Sequence, residues 1–378
     1  MARVKNIEDY RKKRRKKVLL RRVLFFLFII FIVLGGWMIY RSYQNSIVDQ
    51  GVAEQKNTSF PVSLKGDAIK GFTMCGSNVA LLTDKEYMLY SAKGRTLQTV
   101  QHGYFNPSIK SSSKRILIYD ISGTKFMVAN KSGTIFDLST EQKILFGEIA
   151  DNGNIAIITQ DDRYQCRLTV YDSTGQEVYK WYSAEALVTS LDFTGSGKGC
   201  VLTAVNTKSG IMQSELIKLD FDKEQEIFKQ TMEQGMAVSV VVKSSGKIQM
   251  VTDTAVVTLD GNGSQISSYD FSKDLKYYVN TSGYTVVLQG EEVKDNQKLT
   301  VLDSNGGTVA ETTINDQIRD LDTDGNYVYL LTNQQVQKYN MKLELKGSIE
   351  DQAVVSRIIG KNNTVYGVST SKLECSSL

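Results

Sequence analysis

Two stretches, Leu168-Thr169-Val170-Tyr171-Asp172-Ser173-Thr174-Gly175 and Leu299-Thr300-Val301-Leu302-Asp303-Ser304-Asn305-Gly306, carry one plan 131 residues apart. In each, an apolar run rich in β-formers meets a turn built from Asp, Ser and Gly. Asp and Ser side chains bond back to a turn's own backbone, and Gly takes φ > 0 cheaply, so the run reads as a strand ending in a tight reversal. The same element, an apolar residue four before a Gly, recurs at Tyr90/Gly94, Ala129/Gly133 and Leu259/Gly263.

Outward from this element a larger unit emerges. Ahead of it lies a short apolar strand that often ends in Thr. That strand recurs at Leu82-Thr83, Ile118-Tyr119, Ile158-Thr159, Leu202-Thr203, Val251-Thr252, Val287-Leu288, Leu331-Thr332 and Tyr366-Gly367. Successive spacings are 36, 40, 44, 49, 36, 44 and 35 residues, a mean near 41. A Gly- or Asn-bearing turn precedes it, as in Asp151-Asn152-Gly153, Gly195-Ser196-Gly197, Ser245-Gly246, Thr281-Ser282-Gly283 and Asp324-Gly325. Runs such as Asn78–Thr83 and Tyr327–Thr332 have strand length and composition, and no convincing amphipathic helical period follows Phe60. The densest exception, 221–234, reads as a turn or loop.

Strand, turn, buried strand, surface strand, Gly turn and fourth strand make one β-propeller blade, and periods of roughly 40–50 residues are a propeller signature. Seven complete units fit between Ile69 and Ser348. Residues 353–359 and 364–368 then supply two more strands, which Phe60–Lys65 would complete from the other terminus. Such closure removes open sheet edges. The expectation is an all-β propeller of eight blades with one split between the termini, seven being the runner-up count. Two stacked β-sandwiches would not explain the fixed order of Thr-ended strand and Gly turn.

The N-terminus has a different character. Residues 1–22 hold 11 Lys/Arg and 2 acids, leaving 34 against 39 for residues 23–378. The basic run includes Arg14, Arg15, Lys16, Lys17, Arg21 and Arg22. Immediately after it, residues 23–40 read VLFFLFIIFIVLGGWMIY, with no charge. As a helix this stretch would span about 27 Å, close to a bilayer's hydrocarbon core. Val23, Phe25, Phe28 and Ile30 would face lipid, and Trp37 and Tyr40 would sit at the outer interface. The positive-inside rule places the tail in the cytoplasm and the rest outside. No small-x-small cleavage site follows closely, which argues for an uncleaved anchor over a signal peptide. The expected organisation is therefore a basic tail (1–22), a transmembrane helix (23–40), a polar stalk (41–59) and a propeller outside the membrane (60–378). The tail is read as a topology signal lying on anionic lipid, and nucleic acid is not an expected partner.

The units resemble those of quinoprotein-type and surface-layer (YVTN-type) propellers, whose outer strands carry the pattern seen at 168–175 and 299–306. The arrangement of basic tail, one anchor and propeller is similar to an uncharacterised family of membrane proteins from low-GC Gram-positive bacteria, over roughly residues 10–370. These motifs are structural and imply no chemistry. Better-known relatives differ: there is no lipobox cysteine near the N-terminus, no WD dipeptide and no sialidase-type Asp box. Trp181 is the one Trp outside the anchor, where quinoprotein dehydrogenases place a Trp in each blade.

Candidate chemistry is thin. With His102 as the single histidine, a His-His metal cluster and an H-E-x-x-H zinc site are excluded, and no G-x-S-x-G nucleophile motif is present. Asp320, Asp322 and Asp324 begin like a calcium loop, but the twelfth position is Leu331, so an acidic turn is the preferred reading. Cys75, Cys166, Cys200 and Cys375 lack C-x-x-C spacing; the first three lie in or beside strand-like runs and read as buried thiols, although an outward-facing domain would permit disulfides. Glu291-Glu292 and Asp161-Asp162 fall in polar loops, and the 19 tyrosines read mainly as packing between blades. No catalytic, cofactor or metal residue is assigned. The expectation is a single-pass, non-catalytic interaction or scaffold module at the cell envelope, partnered by lipid through residues 23–40 and by an envelope protein. The rival is an envelope enzyme, or a small-ligand or glycan sensor, using the central funnel.

Overall fold

Each repeat folds as four antiparallel strands whose sequence patterns follow from how deeply they sit. A computed structural model describes residues 60–208, 210–233, 235–291, 296–350 and 355–378. The expected tail, helix and stalk lie outside those residues. Among the described residues no helix is long and apolar enough to cross a membrane.

Eight four-stranded sheets form the eight blades. Blades 1 to 7 are continuous, at 69–101, 107–139, 144–183, 187–232, 237–270, 275–314 and 318–350. Blade 8 joins Arg357–Lys361, Thr364–Val368 and Lys372–Ser377 to Val62–Ser63 from the other end of the chain. First strands of successive blades neighbour one another around the ring, and that of blade 8 meets that of blade 1. Second strands are sandwiched between blades and covered on both faces. They are therefore apolar throughout rather than alternating, as in Ile155–Thr159 and Ile248–Thr252, every residue of which is buried. Fourth strands lie outermost and alternate: from Ile266 and from Lys346 onward, Gln265–Asp270 and Leu345–Glu350 expose every second residue.

The recurrent Thr has a local task. Thr83 Oγ1 accepts from Glu86 N and donates to Glu86 O, both at 3.0 Å. Thr252 does the same to Ala255, at 2.8 and 3.1 Å, and Thr332 to Gln335, at 3.0 Å each. One hydroxyl thus staples each two-residue hairpin turn. The Asp of the third turn works similarly. Asp172 Oδ1 accepts from Thr174 N and Gln176 N, and Asp303 Oδ1 from Asn305 N and Gly307 N. Gly175 and Gly306 then take φ of 88° and 79°. In blade 7 Asn340 replaces the Asp, and Leu343 adopts the positive φ (59°) because its side chain is buried in the core.

Two expectations need correction. The C-terminus supplies three strands to blade 8, not two; the third, Lys372–Ser377, pairs Leu373 with Val62 and Lys372 with Ser63. From the other terminus only Val62–Ser63 is strand. Residues 221–234 are not all loop: Phe228–Met232 is the fourth strand of blade 4, its apolar residues too sparse to signal one.

Strand alternation gives the ring two faces. One holds the turns between first and second, and third and fourth, strands. The chain enters there, since Phe60 N lies 3.1 Å from where a Cβ on Gly94 would sit. We call this the entry face. The opposite, crossover face holds the second-to-third hairpins and the blade-to-blade connections.

Candidate interaction face

The two faces differ in charge. Among described residues, the connections of the crossover face carry 11 Asp/Glu against 5 Lys/Arg. Those of the entry face carry 8 against 10.

The crossover face also bears a projection. In blade 4 the second and third strands, Gly199–Lys208 and Ile211–Asp220, are ten residues each. The first strand reaches only Val205, through Leu187, and the fourth only Ser214, through Met232. The pairs Asn206–Gln213, Thr207–Met212 and Lys208–Ile211 therefore stand clear of both neighbours, a finger about 10 Å tall at strand rise. Its tip is apolar: Ile211 is 65% and Met212 58% exposed. Around its base on the same face, Tyr164, Tyr182, Leu187 and Met236 are also exposed, and the two Tyr rings lie 5.0 Å apart. Glu185, Glu233 and Asp253 border this group. Grouped exposed apolar side chains within a polar rim are the usual mark of a protein-binding surface. Sequence reasoning missed the finger, although Lys208-Ser209-Gly210 between two long β-rich runs marked the hairpin.

The inner ring is built differently. Asp320 Oδ2 accepts from Ile358 N at 2.8 Å, Asp322 Oδ2 from Gly360 N at 2.8 Å and Asp324 Oδ2 from Asn362 N at 3.0 Å. The three acids of the would-be calcium loop thus form a ladder, closing the free amide edge of the next blade's first strand at a constant offset of 38 residues. Burial pushes the Asp320 carboxyl up and that of Asp322 to about 7, against the pull of those amides. Between blades 4 and 5, Ser190 Oγ and Asp192 Oδ2 hold Val240 N and Val242 N in the same way, and burial lifts Asp192 to about 6. Lys243 is buried too. Its three donors meet Thr281 O, Tyr284 O and Thr285 Oγ1, each at 2.9 Å, while burial lowers its pKa to about 7 with Asp192 opposing. Three acceptors match an ammonium better than a neutral amine, so the geometry favours the charged form.

The remaining sequence candidates are dispersed. His102 Nδ1 accepts from Tyr104 N at 3.0 Å, so Nε2 carries the proton and donates to Thr83 O at 3.1 Å. Both ring nitrogens thereby serve the backbone. Asp161 caps its loop through Arg163 N and Tyr164 N, and Asp162 accepts from Gln142 Nε2. Glu291 lies in a crossover connection, and Glu292 is outside the described residues. All four cysteines are free thiols, with Cys75, Cys166 and Cys200 buried and Cys375 half-buried. Trp181 packs between blades 3 and 4 and donates from Nε1 to Glu226 Oε1 at 3.0 Å. Among the described residues no three His, Cys, Asp or Glu groups are placed to hold a metal. Val23, Phe25, Phe28, Ile30, Trp37, Tyr40 and the basic run 14–22 lie outside the described residues.

The profile of a family of unknown function, DUF5711, matches residues 54–378. The chain belongs to that family. No curated protein matches its sequence. Solved structures with the same fold include BamB from Moraxella catarrhalis, 11% identical with a TM-score of 0.56, covering 84% of this chain and 99% of that one. Sqt1 from Saccharomyces cerevisiae is 12% identical with a TM-score of 0.61, over 85% and 99%. The C-terminal WD40 domain of Sif2 is 12% identical with a TM-score of 0.62, over 86% and 99%. At such identities the likeness carries the propeller fold of this DUF5711 member and nothing finer.

Proposed function

We propose that the chain is a single-pass membrane protein, N-terminus in the cytoplasm, that presents its propeller outside the membrane as a non-catalytic docking platform. One observation carries the docking role: the apolar finger tip and its apolar surroundings stand exposed on the acidic crossover face. The uncharged stretch 23–40 behind 11 basic residues supports the anchoring. The rival use of the funnel is less well supported. Asp192, Asp320 and Asp322, the acids such chemistry would recruit, already bind backbone amides of neighbouring blades.

The test is cross-linking of the intact protein in its own membrane, with capture through a tag on the tail. Enrichment of one or a few envelope proteins is expected. It should be lost when Ile211 and Met212 are both changed to Ser and kept when the outer-strand Leu345 is. Equal capture by all three chains would sink the crossover face as the docking site.

A further inference from the structure

The entry face of blades 1 and 2 is basic without compensation. Its four turns carry Lys93, Arg95, Lys114, Arg115 and Lys131 and no acid. Arg115 is engaged, donating from Nη1 to Ser173 O in blade 3. The side chains of Lys93, Arg95, Lys114 and Lys131 make no ion pair or hydrogen bond among the described residues. On the crossover face of blade 1 the opposite holds: Lys65 pairs with Glu86, and Lys85 with Asp67. Asp151, in the neighbouring turn of blade 3, already accepts from Ser113 N at 2.9 Å through its Oδ1.

Two of these cations, Lys114 and Lys131, border a cleft of about 430 Å³ between the two blades. Its wall includes Lys114 and Lys131 together with Ser77, Asn78, Ser113 and Ser132, all polar or cationic. Gly76 brings its backbone to the rim at φ 62°, close to Ser113 O. Ammonium groups with hydroxyl and amide donors around a small open cleft are the complement of a phosphate group.

The geometry points to this cleft as a phosphate-binding site, with Lys114 and Lys131 as its charged contacts. Two sources share that chemistry: an anionic lipid headgroup and a soluble phosphate. The first rests on the anchored reading above; the cleft itself does not depend on it.

The full chain is reconstituted into phosphatidylcholine nanodiscs with and without phosphatidylglycerol, and into the former with millimolar inorganic phosphate. Hydrogen exchange is followed in turns 112–115 and 130–132. Slowing of about threefold or more is expected with phosphatidylglycerol, with phosphate, or with both. Slowing by phosphatidylglycerol alone assigns a lipid headgroup, and slowing by phosphate in plain discs assigns a soluble ligand. Lys114→Gln with Lys131→Gln should abolish the effect, and Lys198→Gln, on the same face in blade 4, should not. No slowing under either condition, or equal slowing by sodium chloride at matched ionic strength, overturns the site. A chain that fails to enter the discs would instead refute the anchor, and phosphate titration of that chain would still test the cleft.

Discussion

A single threonine hydroxyl sets the shape of the hairpin in three of the eight blades. Thr83, Thr252 and Thr332 each accept from and donate to the residue three further on, so the turn is fixed within its own blade. The Thr252 hydroxyl is buried, and losing it strands the Ala255 amide and carbonyl. Thr252→Val should therefore lower unfolding stability by about 1–2 kcal/mol, the usual penalty for a buried unpaired group. Thr252→Ser should recover most of it. Urea unfolding of the two variants measures the difference, and equal losses would show that the methyl packing matters instead. At this scale the sequence was informative, since the Thr sits at the same place in repeat after repeat.

At the scale of the strand, the acids of Ile318–Thr323 act as a unit with Asp324. Their alternate spacing puts three carboxylates against three amides of Arg357–Lys361 and the turn after it. Asp322 is the most buried, with its pKa raised from 3.8 to about 7. Across that window the folded state holds a proton that the unfolded chain has released, so this group's contribution makes stability fall as pH rises from 3.8 towards 7. Asn in its place keeps an oxygen for Gly360 N and cannot ionise. Asp322→Asn should flatten the fall and raise the melting temperature at pH 8 relative to the parent; a parallel pH profile in both proteins would contradict the buried, ionising role. From the sequence these residues read as an acidic turn, with a calcium loop disfavoured. Neither reading saw the ladder, because its partners lie in another repeat.

At the scale of the whole molecule, the ring is closed by very little strand. Val62 and Ser63 pair with Leu373 and Lys372, and Leu64 N donates to Ser371 O at 2.8 Å. Yet Leu373 is fully buried, and Phe60, Val62 and Leu64 pack on the core between blades 8 and 1. A chain truncated to begin at Gly66 would expose the edge of Lys372–Ser377 and that core together. It should unfold at lower urea and self-associate, as unprotected strand edges do. Sedimentation and unfolding against a chain beginning at residue 58 give the comparison, and matched midpoints would mean that closure is held by the inner strands alone.

The sequence by itself determined the strands, the turns, the repeat and the split ring, because all of these rest on residues close in the chain whose pattern repeats. It missed the last strand because Lys372–Ser377 has a polar composition with little strand signal, although it pairs along its length with the neighbouring Thr364–Val368 and at Lys372 and Leu373 with Ser63 and Val62. Only the tertiary structure decided which acids bind which amides, how far the finger of blade 4 outreaches its neighbours, and that the two faces differ in charge. Those properties depend on how one blade is set against the next. That register is fixed by packing between repeats, and no local pattern encodes it.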